Sequence, residues 1–195
     1  QGQQIGFTKP KPISDTMVNR LPDRHGLSGK VETVSLGGLG AGLSALESGG
    51  VDAALILEPL WSARQGRYQI AFTLAELPPI AQMVGVATGD LMRDEPEALR
   101  DLVAGWTQST GFTYDNPDEA ATIMSERFGA ETLPVDVATS AVNNMAAINY
   151  WSRGEIDIEG LEFFLETMRY QGEWEGEADW AAMTDQSFLP EELRR

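Results

Sequence analysis

Residues 30–61 read KVETVSLGGLGAGLSALESGGVDAALILEPLW, and this stretch decides the fold class. It begins with a run typical of a strand, Val31–Leu36, which ends in the glycine-rich segment Gly37–Gly42. A helical pattern follows to about Ser48, and a Gly-Gly turn leads into a second apolar run, Ala53–Leu57. Strand, helix and strand in this order predict parallel strands joined by a crossover helix.

The residues before this stretch repeat the same pattern. Residues 4–8 (QIGFT) are typical of a strand, and the sequence KPKP at 9–12 predicts a turn. Ser14 or Asp15 then suits the cap of a helix that runs to about Leu21, because its side-chain oxygen accepts from free first-turn N–H groups. The first 85 residues therefore predict an α/β fold with a mostly parallel sheet covered on both faces.

The residues after this stretch are expected to extend the sheet and then to change character. Residues 60–65 predict one or two helical turns, and Tyr68–Thr73 and Gln82–Ala87 predict two further strands. Beyond Gly89 the apolar spacing indicates successive helices. Their predicted bounds are about 96–112, 116–128, 134–150, 158–170 and 178–183.

The charge of the chain is unevenly distributed. The 195 residues include 30 acidic and 14 basic side chains, a formal net charge of −16, yet the first 85 residues balance to zero. Nucleic-acid binding needs a basic footprint, which this composition excludes. An anionic membrane surface would repel the acidic second half. No apolar run reaches the length of about 18 residues that a membrane-spanning helix needs.

Residue types for metal and nucleophile chemistry are scarce. The chain has no cysteine, which excludes a disulfide framework, a thiolate zinc site and a cysteine nucleophile. Its single histidine, His25, lies in the turn at 22–26, where no second histidine or cysteine accompanies it. We therefore expect neither a metal nor a cofactor.

Three junctions between a strand and the following helix are candidate ligand loops: Thr8–Asp15, Gly37–Gly42 and Glu58–Trp61. In an open α/β sheet, ligands bind beyond the carboxyl ends of the strands, near helix N-termini with free N–H groups. The glycines allow either close approach of a ligand or merely tight turns, and their spacing does not match the dinucleotide pattern. Trp61 is either a flat platform for a ligand or a core aromatic residue.

The order of these motifs resembles that of ABC-transporter substrate-binding proteins of the nitrate/sulfonate/taurine and thiamine-pyrimidine type, which have a periplasmic binding protein type II fold. The resemblance is collinear over nearly the whole chain. It is carried by QQIGFTKPKPISD (3–15), KVETVSLGG (30–38), LSALESGGVDAALILEPLW (43–61), VGVATGDLMRDEPEALRDLVAGW (84–106), YDNPDEAATIMSERFG (114–129) and TDQSFLPE (184–191).

The resemblance implies two α/β lobes with a ligand held in the cleft between them. Residues 1–85 would form the complete second lobe, and residues 86–195 the helical C-terminal part of the first lobe. The strand-rich beginning of that first lobe is expected upstream, so the chain is interpreted as truncated at its N-terminus. We expect the helical half to expose apolar surface, or to pair with the missing segment or a second chain.

The resemblance also implies the ligand contacts. The family's cleft loops match Thr8, Lys9, Lys11, Ser14, Asp15, Thr16, Gly37, Gly38, Leu39, Gly40, Glu58 and Trp61. Relatives that bind anions usually have a small, polar first loop, whereas this loop reads Lys-Pro-Lys-Pro and loses two N–H donors at its prolines. The two lysines would supply positive charge instead.

The implied function is non-catalytic capture of a small anionic or heteroaromatic nutrient for an ABC importer. The partners would be that ligand and a membrane permease, and the location periplasmic or membrane-anchored outside the cytoplasm. One alternative is an enzyme resembling thiamine-pyrimidine synthase, for which His25 and Lys9 are the available reactive residues. Another alternative is the ligand-sensing domain of a regulator.

Overall fold

The computed structural model describes residues 3–10, 13–81 and 83–194. The structure separates into two compact units. The first, the sheet unit, comprises Gln1–Leu60, Arg64–Gln82 and Glu159–Glu177. The second, the helical unit, comprises Trp61–Ala63, Met83–Ile158 and Ala178–Arg195.

The fold is α/β, with three strands near the start of the chain and helices throughout. In chain order the strands and α-helices are β1 (Gln3–Phe7), α1 (Ile13–Arg24), β2 (Val31–Ser35), α2 (Leu39–Glu47), β3 (Ala53–Ala54), α3 (Gly89–Asp94), α4 (Pro96–Asp115), α5 (Pro117–Phe128), α6 (Val135–Ala147), α7 (Ile158–Tyr170) and α8 (Trp180–Met183). Short 3-10 turns occupy Ser62–Arg64, Leu74–Glu76 and Glu191–Leu193. No helix of the described ranges is long and apolar enough to cross a membrane.

The sheet has the strand order β2-β1-β3, and both pairings are parallel. Ile5 on the central strand pairs with Thr33 on one side and with Ala53 on the other. Gly6 lies between the outer strands, where a Cβ would collide with the Leu36 side chain. A larger residue at Gly6 would therefore require the Leu36 side chain, just after β2, to move.

The core of the sheet unit joins residues that are far apart in sequence. Ile5, Phe7 and the helix residue Val18 form a buried cluster, and Phe72 packs against it. Helix α7 also belongs to this unit, where the guanidinium carbon of Arg20 lies 5.5 Å from the ring centre of Phe163 and 5.4 Å from that of Tyr170. This arrangement makes cation–π contacts on two rings.

The core of the helical unit is local in sequence. Its buried cluster consists of Ala121, Leu133, Ala138 and Val142, all from α5, α6 and their connection. The hydroxyl of Ser125 donates to the Leu133 carbonyl oxygen at 2.7 Å, which satisfies a buried polar pair. Small residues on the two helices therefore allow close packing around one short connection.

Two predicted strands are wrong. Residues 68–73 form no strand, and the Thr73 hydroxyl instead accepts from the Ala75 N–H at the start of a 3-10 turn. Residues 83–87 are also irregular, while Gln82 lies outside the described residues. Strand propensity depends on a neighbouring strand, and the sheet offers these segments none. The predicted strand 53–57 pairs only at Ala53–Ala54.

Other expectations hold or stay predictions. The expected apolar exposure of the helical half is confirmed by Val86, Leu102 and Phe128, which are 89%, 69% and 63% exposed. The predicted turns at 60–65 form a 3-10 turn, Ser62–Arg64. Helix α7 packs with the sheet unit, although the sequence had grouped it with the helical half. The assignment of lobes at residue 85 stays a prediction.

Candidate functional site

The carboxyl ends of the strands lie at one edge of the sheet because the strands are parallel. Thr8 follows β1 at this edge, and Leu36 and Gly37 follow β2. Two of the three predicted ligand loops therefore begin beside each other. Ligands of open α/β sheets bind at this kind of edge.

Thr8 is the residue through which the two loops are joined. Its carbonyl oxygen accepts from the Gly37 N–H at 2.5 Å and from the Ser35 hydroxyl at 3.3 Å. One residue earlier, the Phe7 carbonyl oxygen accepts from the Leu36 N–H at 2.8 Å. The backbone of Thr8 is thus fixed by the end of the neighbouring strand.

The side chain of Thr8 meets the start of helix α1. Its Oγ1 lies 2.6 Å from the Oγ of Ser14, in the first turn of that helix. Ser14 is only 4% exposed, whereas Thr8 is half-buried. The structure therefore brings together three of the predicted site residues, Thr8, Ser14 and Gly37.

The glycine loop opens helix α2 without a capping side chain. Gly37 has φ of 88°, which favours glycine, and Gly38 is the N-cap with an extended backbone. Within the described residues, a Cβ at Gly38 or Gly40 would meet no heavy atom within 4 Å. The first N–H groups of a helix have no partner inside it, so this helix start can donate to an acceptor. Leu39, the first residue of α2, is half-buried.

The structure describes the other predicted site residues of the first loop only in part. Lys9 is exposed just after β1. Lys11 lies outside the described residues. Asp15 and Thr16 lie in helix α1, but the structure does not describe their side chains. Their predicted contacts with a ligand stay predictions.

The third predicted loop is divided between the two units. Half-buried Glu58 belongs to the sheet unit and precedes Pro59 through a cis peptide bond. Half-buried Trp61 belongs to the helical unit, next to Ser62, whose hydroxyl accepts from the Asn144 amide at 3.3 Å. The part of Trp61 in a site with Thr8 stays a prediction.

Ser35 is a site residue that sequence reasoning missed. As the last residue of β2 it was treated as part of a strand, yet its hydroxyl contacts the Thr8 carbonyl oxygen at the carboxyl edge. A polar residue at the end of a strand, directly before a glycine run, was the signal that would have identified it.

His25 has a partner away from this edge. Its Nε2 lies 2.6 Å from the Glu76 carboxylate, and its ring lies 5.1 Å from that of Phe72. Two hydrogen bonds to the Glu76 carboxylate lower its pKa. The larger effect comes from the Thr73 N–H and the smaller from His25. His25 follows α1 and precedes β2, at the end of the sheet opposite Lys9. The structure does not bring these two residues together.

Metal ligands are also dispersed. Over the described ranges, no group of three or more histidine, cysteine, aspartate or glutamate side chains is placed to hold a metal ion. The polar groups of the carboxyl edge are instead hydroxyls, backbone N–H groups and one exposed ammonium. These groups suit hydrogen bonding to a small molecule.

Comparison with known proteins gives one family. A family model described as "NMT1/THI5 like" matches residues 1–120, more than half of the chain, and includes the whole candidate edge. This family contains nitrate, sulfonate and taurine substrate-binding proteins of ABC transporters together with thiamine-pyrimidine synthase. Its members are mostly solute-binding proteins and are typically extracytoplasmic. No significant match was found among curated proteins or solved structures.

Proposed function

The chain belongs to the NMT1/THI5-like family, and from this premise we propose that it is the solute-binding component of an ABC importer. It captures a small anionic or heteroaromatic nutrient of the sulfonate, nitrate or pyrimidine class. The family supports a solute-binding role in general, and the more specific role rests on the carboxyl edge of the sheet. The observation that carries it is the junction of Thr8, Ser14 and Gly37 beside the uncapped start of α2.

The open glycines support ligand binding over a purely structural role. Gly37 is explained by its positive φ. Neither backbone conformation nor local packing explains Gly38 and Gly40, because a Cβ would fit at both positions among the described residues. Because glycine has no side chain, an acceptor group can approach the N–H donors at this helix start closely.

Two ligand chemistries remain within the proposal. The helix start and exposed Lys9 favour an anion, through charge and N–H donors. The flat ring of Trp61 favours a heteroaromatic ligand. Thr8 suits both, because its hydroxyl can donate to an oxyanion or to a ring nitrogen.

The proposed partners follow from the same role. The loaded protein would deliver its ligand to a membrane permease from a periplasmic or membrane-anchored extracytoplasmic position. The net charge of −16 argues against nucleic acid as a partner.

A binding role is favoured over the synthase alternative. Lys9 follows β1 at the carboxyl edge, whereas His25 contacts Glu76 after the far end of α1. A reaction that needs a histidine and a cofactor-bearing lysine would require them near one ligand. Purified protein with absorbance in the pyridoxal band and turnover of that cofactor would overturn the binding proposal.

The test is a ligand screen with a matched pair of glycine variants. We expect nitrate, taurine, methanesulfonate or a 4-aminopyrimidine to raise the melting temperature, since ligand at 100 times Kd adds about 2.7 kcal/mol to the free energy of unfolding. Gly40→Ala should abolish this rise by obstructing the α2 start. The control Gly105→Ala, also in a helix with open space around the Cβ, should keep it.

Two results of this screen would contradict the proposal. The first is that none of the probes raises the melting temperature of the unmodified chain. The second is that Gly40→Ala and Gly105→Ala bind a probe equally well, because the α2 start would then not contact it.

A further inference from the structure

The burial of Ser14 decides which of the two hydroxyls donates in the hydrogen bond between Thr8 and Ser14. Their hydroxyl oxygens lie 2.6 Å apart, so one hydrogen lies between them and either residue can be its donor. Each hydroxyl has one hydrogen to give. The residue that does not donate within the pair keeps its own hydrogen for another acceptor.

Among the residues that the structure describes, Thr8 is the one acceptor for the hydrogen of Ser14. Ser14 is 4% exposed, and across the described residues its hydroxyl bonds only to Thr8 Oγ1. If Thr8 donated, the hydrogen of Ser14 would be buried without a partner, which is costly. If Ser14 donates, the unused hydrogen belongs to half-buried Thr8, where a ligand or water can accept it.

Thr8 is otherwise held rigidly. Its carbonyl oxygen accepts from the Gly37 N–H and from the Ser35 hydroxyl, so the backbone is fixed while Ser14 orients the side chain. Building on the proposed function, we infer that Ser14 is a positioning residue that does not touch the ligand. By donating to Thr8, it makes Thr8 a donor towards the ligand.

This direction of donation narrows the class of ligand. The hydrogen of Thr8 suits a ligand atom that accepts, such as an oxygen of nitrate or sulfonate or an unprotonated ring nitrogen. A protonated amine or a guanidinium group has only donors and cannot use that hydrogen, although it can donate to the remaining lone pair of Thr8. Ser14 thereby contributes to specificity without contact.

A double-mutant cycle measured by calorimetric titration tests this inference. The probes are nitrate and methanesulfonate, with guanidinium as a donor-only control. We expect Thr8→Val to weaken anion binding roughly tenfold and Ser14→Ala roughly threefold, through loss of hydrogen-bond alignment. In the Thr8→Val background, Ser14→Ala should have no further effect, because it acts only through Thr8.

Three further variants separate positioning from general damage. Thr8→Ser keeps the hydroxyl and should retain anion binding within about twofold. Ser14→Cys keeps the volume but donates weakly, and should reproduce the loss even if Ser14→Ala fails to fold. Thr33→Val, on β2, is the matched control and should leave binding unchanged.

The outcomes distinguish this inference from the proposed function. If the unmodified chain binds none of the probes, the proposed function fails, and the inference fails with it. If anions bind but Ser14→Ala has no effect, or weakens binding equally with and without the Thr8 hydroxyl, the inference alone is overturned. A guanidinium affinity that falls on Ser14→Ala as much as the anion affinity does would also overturn it, because guanidinium cannot use the hydrogen of Thr8.

Discussion

The sheet unit and the helical unit build their cores from different kinds of contact. In the sheet unit, Phe7 and Val18 meet Phe72, which lies more than fifty residues further along the chain. In the helical unit, the buried cluster from Ala121 to Val142 spans two consecutive helices. The comparison teaches that one core depends on long-range pairing and the other on local helix formation. The candidate ligand edge lies on the long-range core.

The largest expected effect is in the core of the sheet unit. Phe7→Ala removes a ring that is 8% exposed and should lower the free energy of unfolding by about 3–5 kcal/mol, through lost burial and a cavity. Hydrogen exchange of the β1 and β2 amides measures this loss in the free energy of unfolding. Phe128→Ala, at an aromatic ring 63% exposed, is the control and should change stability by less than about 0.5 kcal/mol. Equal effects would contradict the assigned core.

A smaller effect is expected from the buried hydrogen bond of the helical unit. Ser125→Ala leaves the Leu133 carbonyl oxygen without its donor and should cost about 1–3 kcal/mol in urea unfolding. Thr122→Ala, in the same helix, removes an exposed hydroxyl that donates to the Asp118 carbonyl oxygen at 2.9 Å. This control should cost much less, because water replaces the lost partner. Similar costs would show that the α5–α6 core is not formed as described.

Two glycines of the same loop should respond in opposite directions. Gly37→Ala forces an alanine to adopt a φ of 88°, and it should lower the free energy of unfolding by about 1–2 kcal/mol. Gly40→Ala, inside α2 with open space around its Cβ, should stabilise by about 1 kcal/mol through helix propensity. Thermal unfolding without ligand measures both. If Gly40→Ala destabilised the protein, packing would explain that glycine and the case for ligand approach would weaken.

The smallest expected effect is the pH dependence of Glu76. Hydrogen bonds from Thr73 and His25 lower its pKa, so the carboxylate stabilises the fold above its ordinary value of 4.5. That stabilisation is lost as the pH falls through the lowered pKa of the folded state. Glu76→Gln should therefore narrow the difference in urea midpoint between neutral and acidic pH. An unchanged difference would show that the contact contributes nothing to stability.

The sequence predicted local structure well, and the structure shows why. Helices α4 and α5 begin at a proline, and α7 has apolar residues at helical spacing, which are local signals. The cap predicted at Ser14 or Asp15 is wrong, because α1 already begins at Ile13. The predicted strands β1 and β2 do form, because they pair with each other over their full length. Residues 68–73 and 83–87 have strand composition too, but whether such a segment pairs depends on its neighbours.

The candidate site was predictable only in part for the same reason. The sequence was enough to predict that the loops after β1 and β2 lie side by side, because parallel strands end at one edge. The position of Ser35 before the glycine run marks it as a candidate, but its contact with Thr8 depends on how the two strands align in register. The unit to which α7 belongs was equally hidden, because an amphipathic face does not reveal its partner.

The attachment of α7 has a consequence for the conditions that the protein tolerates. Arg20 is held between the rings of Phe163 and Tyr170, and no carboxylate pairs with it among the described residues. Contacts at a partly buried cation are less exposed to screening by dissolved ions than surface ion pairs are. The extracytoplasmic location proposed above would expose the protein to large changes in salinity. This helix would stay docked through such changes, with aromatic rings in place of a surface ion pair.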